Sequence, residues 1–200
     1  MNQKDSQGDY ISESDDQQYQ LLDSSELINL TAKGNQVAFI ELYHRYYRGI
    51  YNFICRLIHD RIGAEDVLQE VFIAVWKGSM RFRAQSKVNT WIYRIAYNQS
   101  ISWLRVHREL AWPDYLEEMP VEDAVLRSDV LERQKLLQVL SQLSVKHRSV
   151  IELTFVQGMT YREIAETLHI PVGTVKSRMN YAVKMMAKAM NETGFTRKHE

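Results

Sequence analysis

Thr160-Tyr161-Arg162-Glu163-Ile164-Ala165-Glu166-Thr167-Leu168-His169-Ile170-Pro171-Val172-Gly173-Thr174-Val175-Lys176-Ser177-Arg178 reads as a short helix, a tight turn and a second helix. Thr160 suits an N-cap, and Glu163 completes the spacing of a capping box. Ile164, Ala165 and Leu168 fall on one apolar face, and the small Ala165 lets a second helix cross closely. Pro171 suits the first position of that helix, where its missing N–H is unpaired anyway. Val172 and Val175 face inward, while Thr174, Lys176, Ser177 and Arg178 point outward as donors for phosphates or base edges. A helix displayed in this way enters the major groove of duplex DNA. The same stretch also fits an ordinary helical hairpin with a solvated polar face, so the rest of the chain has to decide.

The chain has 200 residues, 45% of them hydrophobic, with only 8 Gly and 3 Pro. That is enough apolar matter for packed cores, and long stretches carry helical periodicity, so an all-α fold is expected. The 25 basic and 25 acidic residues balance to zero, unlike a protein that simply coats nucleic acid. The balance hides an uneven distribution. Asp5, Asp9, Glu13, Asp15, Asp16 and Asp23 make the start acidic, and Asp114, Glu117, Glu118, Glu122 and Asp123 do the same in the middle. Basic side chains gather from Lys77 to Arg108 and from Lys176 to Lys188.

The single cysteine, Cys55, lies in an apolar helical run and reads as a buried structural thiol. No Cys/His cluster has zinc-ligand spacing, and no cofactor is expected. No apolar run approaches the roughly 18 residues of a membrane span. The polar, acidic start is unlike a secretory signal, so a cytoplasmic protein without membrane insertion is expected.

Along the chain, residues 1–22 are polar and aperiodic and read as a disordered acidic extension. Asp23 or Ser24 caps a first helix that runs to about Lys33. Ala38 to His59 forms a long amphipathic run with Phe39, Leu42, Tyr46, Ile50, Phe53 and Leu57 on its stripe. Asp60-Arg61-Ile62-Gly63 breaks that run, and a third helix follows from about Ala64 to Trp76. Lys77 to Val88 reads as a loop, and helix resumes from Asn89 to His107. Pro113, Pro120 and the acidic cluster mark 109–125 as a linker. A second domain is expected over 126–190, with Ser144 as a cap and Gly158 as a stop, and a polar tail over 191–200.

Two segments of the first domain, 23–108, carry chemistry. Asp66, Gln69 and Glu70 share a helix face by their spacing, which suits a basic protein partner as well as plain solvent. From Phe82 to Arg108, aromatic and basic groups interleave: Phe82, Arg83, Lys87, Trp91, Tyr93, Arg94, Tyr97, Trp103, Arg105, Arg108. Single-stranded nucleic acid is held by such a mixture, with bases stacked on rings and the backbone tracked by cations. Trp91 and some of its neighbours also fit a core.

Three motifs in series resemble those of the extracytoplasmic-function (ECF) sigma factors of the sigma-70 family. They are Asp66-Val67-Leu68-Gln69-Glu70-Val71-Phe72, then Thr90-Trp91-Ile92-Tyr93-Arg94-Ile95-Ala96 with Asn98, then Pro171 to Arg178. The resemblance covers about 24–108 and 126–190. It implies a sigma-2-type helical bundle and a sigma-4-type helix-turn-helix domain joined by a flexible linker. It also implies an RNA polymerase specificity subunit that performs no covalent chemistry.

Carried over by position, Asp66, Gln69, Glu70 and Phe72 would dock on the β′ clamp helices of core polymerase. Phe82, Arg83, Ser86, Lys87, Trp91, Arg94, Tyr97 and Asn98 would engage the opened −10 element. Arg162, Val172, Gly173, Thr174, Lys176, Ser177 and Arg178 would read the −35 element as duplex, and the same domain would contact the β flap. An anti-sigma factor is implied as a partner. The loop departs from the family pattern in Arg83-Ala84-Gln85-Ser86, where many members have Gly and Asp in the middle, and Tyr181 replaces a common basic residue.

Two rival classes are weighed against this. A stand-alone helix-turn-helix regulator would bind duplex tightly without polymerase, and no heptad or effector domain is visible to support it. An enzyme would need a site, but His44, His59, His107, His147, His169 and His199 form no triad-like or metal-ligand spacing. There is also no glycine-rich phosphate loop and no Gly-x-Ser-x-Gly elbow.

Overall fold

The computed structural model describes residues 18–107, 139–140 and 142–192. The linker over 109–125, most of the acidic extension, the first part of the second domain and the end of the tail lie outside the described residues. Among those described there is no strand, and the fold is all-α as expected.

Helix α1 (Ser24–Ala32) starts where its cap says it should. The Asp23 carboxylate accepts from Ser25 N at 2.7 Å and Glu26 N at 2.8 Å, and Glu26 accepts from Asp23 N at 2.8 Å. Residues 18–21 form a further helical turn ahead of it. Arg45 holds this turn by donating to the carbonyls of Leu22 at 3.0 Å and Gln20 at 3.3 Å. Helical structure is thus present at 18–21, ahead of position 23.

Helix α2 (Gln36–Ile58) is capped by Asn35, which accepts from Ala38 N at 2.9 Å. It buries Leu42, Ile50, Phe53, Ile54 and Leu57, the expected stripe, together with Cys55. His59 ends it in the left-handed region, with φ 55.

The break after α2 is shorter than its residues suggest. Asp60 accepts from Ile62 N at 3.1 Å, and α3 (Arg61–Gly78) begins at once. Gly63 is thus not a turn glycine; it lies buried in the first turn of α3. A Cβ there would sit 2.4 Å from Cζ2 of Trp103 and 2.8 Å from Oδ2 of Asp60. The glycine is needed for close approach to a ring. Gly63→Ala is expected to destabilise the protein by about 1–3 kcal/mol through overpacking, despite the roughly 1 kcal/mol that alanine gains in a helix. Urea unfolding followed by circular dichroism measures it, and a stabilised variant would contradict the tight contact.

Beyond Gly78 a 3-10 turn (Ser79–Arg81) follows, so the loop narrows to residues 82–87. Helix α4 (Val88–Val106) crosses α3 and α2 and buries Trp91, Ile92, Tyr93 and Ala96. These helices form the first bundle.

The second bundle is built on α5 (Val145–Ile151), α6 (Tyr161–Leu168) and α7 (Val172–Glu192). Ser144 precedes α5, but its hydroxyl pairs with Nδ1 of His147 at 2.8 Å instead of a backbone N–H. A π-helical turn (Glu152–Val156) extends α5, and Gly158 stops it at φ +62. Thr160 and Glu163 form the expected capping box: Glu163 N donates to Oγ1 at 3.3 Å, and Thr160 N donates back to the carboxylate at 2.8 Å. Pro171 stands one place earlier than expected. Its carbonyl accepts from Thr174 N at 2.9 Å and Val175 N at 3.2 Å, so it caps α7 instead of opening it.

The two bundles touch. α6 packs on α4 and α5 packs on α2, and one buried cluster runs from Phe53 and Ile92 to Leu153 and Ile164.

Candidate nucleic-acid interface

Asp66, Gln69 and Glu70 stand exposed on α3, with Val67, Leu68 and Val71 buried on the other side. Phe72 does not share that face. It is only 4% exposed and packs against Tyr43 at 4.7 Å, so it supports the helix from behind. A cleft of ≈480 Å³ opens beside the acidic face, lined by Phe39, Tyr43, Tyr47, Gln69, Phe72 and Trp76. Phe39 meets Trp76 edge-on at 5.1 Å, and Tyr47 stacks on Tyr51 with an interplanar angle of 2°. Desolvation, with Cys55 as hydrogen-bond partner, pushes the Tyr51 hydroxyl up to about 12. Sequence reasoning misses this aromatic row. Its signal is the spacing of four in Phe39, Tyr43, Tyr47 and Tyr51, which puts all four on one face of α2.

On α4 the structure divides the aromatic and basic set. Trp91 is 9% exposed and packs against Phe82 at 5.1 Å. It is a core residue, and a base has no access to stack on it. Phe82 is half-buried by the same contact. Tyr93 is buried too, and its hydroxyl donates to Oε1 of Gln157. Trp103 stacks on His107 with centroids 4.2 Å apart. Asn98 is exposed, Arg94 and Tyr97 are half-buried, with Tyr97 packed against the shared core, and Arg83, Ser86 and Lys87 precede them in the loop. Within that loop Ala84 has φ 53. A non-glycine residue in this region costs about 1–2 kcal/mol, so alanine holds a turn that glycine would make without strain.

On the helix-turn-helix, Val175 and Met179 of α7 pack inward, as does Ile164 of α6. Gly173, Lys176 and Ser177 are exposed, and Thr174 and Arg178 are half-buried on the outward side. Ser177 donates to the Thr174 carbonyl at 3.0 Å. Val172, expected to face inward, is only half-buried, while Arg162 on α6 is exposed.

The structure adds a set of charged contacts between the bundles that sequence reasoning does not find. Arg56 Nε on α2 meets the Glu152 carboxylate at 2.6 Å, with Glu152 only 1% exposed. Arg148 donates to the Leu57 carbonyl at 3.1 Å and to Nε2 of His59. Lys87 Nζ reaches Glu163 at 2.8 Å.

These neighbours move the titrations. The Lys87 hydrogen bond, with those of Thr160, holds the Glu163 carboxyl down at about 2. Burial raises the Glu152 carboxyl, although Arg56 opposes it. Loss of water around the His59 imidazole, and then the Arg148 charge, bring that group down to about 4. Its ring edge faces Arg148 while the residue as a whole remains open to solvent. Arg56 and Glu152 lie far apart in the chain, and no local pattern links them.

Comparison with known proteins decides the family. A model of Sigma-70 region 2 matches residues 42–109, and one of Sigma-70, region 4 matches residues 133–186. Over 182 residues the chain is 31% identical to the ECF RNA polymerase sigma factor SigW of Bacillus subtilis, covering 82% of this chain and 95% of that one. The chain belongs to the ECF sigma factors of the sigma-70 family.

This sigma factor is also 31% identical over 183 residues to the RNA polymerase sigma-H factor of Pseudomonas aeruginosa, covering 82% of this chain and 92% of that one. Its fold is that of CnrH, solved in complex with the cytosolic domain of CnrY, with a TM-score of 0.66 at 24% identity over 85% of this chain and 99% of that one. RpoE of Bartonella quintana, solved with the anti-sigma factor NepR, has a TM-score of 0.66 at 22% identity, covering 76% of this chain and 96% of that one. The protein is thus an RNA polymerase sigma factor, which binds core polymerase, directs it to promoters and helps melt the start region. Matches to both regions do not favour a stand-alone regulator. No described helix is long and apolar enough to cross a membrane.

Proposed function

We propose that the work of this sigma factor is divided among three faces. Asp66, Gln69 and Glu70 dock on the β′ clamp helices, with Phe72 behind them. Arg83, Ser86, Lys87, Arg94, Tyr97 and Asn98 engage the opened −10 strand, with Phe82 and Trp91 shaping the floor of that site. Arg162, Gly173, Thr174, Lys176, Ser177 and Arg178 meet the −35 duplex, Val172 flanks them, and the same domain rests on the β flap. The protein acts in the cytoplasm, by binding alone, and an anti-sigma factor of the kind solved with RpoE holds it in check.

The observation that supports this best is that α4, anchored by the buried Trp91 and Tyr93, keeps Asn98 exposed and Arg94 half-buried, with Arg83 and Lys87 exposed just ahead of it. A helix so anchored presents cations and an amide to a melted strand. Unstacking a base costs a few kcal/mol, and stacking returns about 1–3 kcal/mol per base, so melting needs several such contacts together. Run-off transcription with core polymerase on a genomic fragment library tests the function and reveals the promoter. In that assay Asn98→Ala is expected to slow open-complex formation by about tenfold, as the loss of about 1.4 kcal/mol implies. A pre-melted template is expected to restore it, and no rescue would remove Asn98 from the melting step.

A further inference from the structure

Tyr181 on α7 follows Ser177 by four residues and Arg178 by three, so the helix repeat brings it onto their side. It is 51% exposed. One face of its ring is covered by His147 of α5, with centroids 4.4 Å apart and planes inclined by 29°.

His147 is held in place from two sides. Nδ1 pairs with the Ser144 hydroxyl at 2.8 Å, and the stack on Tyr181 sets the plane of the ring. Nε2 is the nitrogen left to meet a ligand, and in the protonated ring it donates. The surroundings are cationic. Arg178 from α7 and Lys146 from α5 itself act on the imidazole, and together with burial, the larger cause, they hold its pKa below the ordinary range. Toward α2 and the π-turn the charged groups are engaged with one another, Arg56 with Glu152 and Arg148 with His59. Cations gathered in this way repel, and an anion set among them relieves the repulsion.

We infer that His147 and Tyr181 form a phosphate-binding pair at the edge of the −35 face, the Nε2 of the imidazolium and the Tyr181 hydroxyl both donating to the backbone of the duplex. This rests on the proposed −35 role of α7. Tyr181 alone brings no charge to the phosphates, and the protonated His147 stacked on it supplies one. Both residues position the domain, since phosphate contacts fix register and carry no base sequence.

Binding of the holoenzyme to promoter DNA, followed by fluorescence anisotropy over a salt series, tests the pair. It is measured at about pH 6 and about pH 8, on either side of the ordinary imidazole value. A phosphate beside the ring raises the pKa in the complex above that in the free protein. The contribution is therefore present at acid pH and lost as pH rises through the value in the complex. His147→Ala is expected to weaken binding about threefold at the lower pH, in the range of an exposed charge pair, and to match the parent at the higher. Its slope of log K against log salt is expected to be flatter by about 0.9, at the lower pH only. His147→Arg stays charged throughout and is expected to bind about threefold more tightly than the parent at the higher pH, a gain that a packing role does not produce. Tyr181→Phe keeps the stack, drops the hydroxyl and is expected to weaken binding about threefold at both pH values. Should His147→Ala lose its helical signal, His147→Arg decides. A parental salt slope in His147→Ala at the lower pH, no gain in His147→Arg at the higher, or parental binding by Tyr181→Phe overturns the pair. Arg178→Ala separates this outcome from the reading beneath it. A parental slope in that variant removes the −35 assignment of α7, whereas a flattened one beside an unaltered His147→Ala removes the pair alone.

Discussion

Phe53→Ala is expected to lower the unfolding free energy by about 3–5 kcal/mol, the usual cost of emptying a buried phenylalanine site. Phe53 is 0% exposed on α2 and meets the ring of Tyr93 edge-on at 5.3 Å. Tyr93 in turn donates to Gln157 of the second bundle. The cavity would therefore open where α2, α4 and the π-turn converge, and none of these can close it alone. At a urea slope of about 2 kcal/mol/M the midpoint falls by about 2 M. Phe53→Leu fills most of the space and is expected to lose about 1.5 kcal/mol or less. A midpoint unmoved by Phe53→Ala would mean that Phe53 is not a shared core residue.

Asp66→Lys is expected to reduce affinity for core polymerase at least about tenfold, or about 1.4 kcal/mol, and to reduce run-off transcription in step at limiting sigma factor. Asp66 is exposed in the middle of α3, opposite the buried Val67, Leu68 and Val71, so the fold does not depend on its charge. Reversal replaces a favourable contact to a basic partner with a repulsive one. Thermal midpoint stays within about 2 °C of the parent, because an exposed substitution away from caps costs about 0.5 kcal/mol or less. Fluorescence titration of labelled protein against core measures the affinity, and added salt should narrow the gap between variant and parent. Affinity within about twofold of the parent, or under 0.5 kcal/mol, would take this helix face out of the interface.

Local features are legible in the sequence. The capping boxes at Asp23–Glu26 and Thr160–Glu163 each depend on two side chains and the backbone N–H groups three residues away. The stripe of α2 is a periodicity, and the outward donors of α7 follow from the same periodicity once its partners Val175 and Met179 are inside. What misleads is context. Gly63 carries the signature of a break, yet the same residue type serves close approach to Trp103. Trp91 has the composition of a stacking platform, but its ring is covered by Phe82. Phe72 sits in the acidic motif by sequence and in the aromatic cluster by packing. In each case the deciding neighbour lies on another element, and composition carries no record of it.

Helices, their caps, the helix-turn-helix and the family can be read from the chain alone, because these are set by hydrogen bonds and spacings within a few residues or by motifs in series. Which aromatic rings are buried, and that the two bundles meet through Arg56–Glu152, Tyr93–Gln157 and Lys87–Glu163, follows from the packing of distant helices. Those partners are separated by 96, 64 and 76 positions in the numbering (152 − 56, 157 − 93, 163 − 87). A charge on a helix surface looks solvated in any local window, and becomes a buried pair only when a distant helix brings the opposite charge and excludes the water.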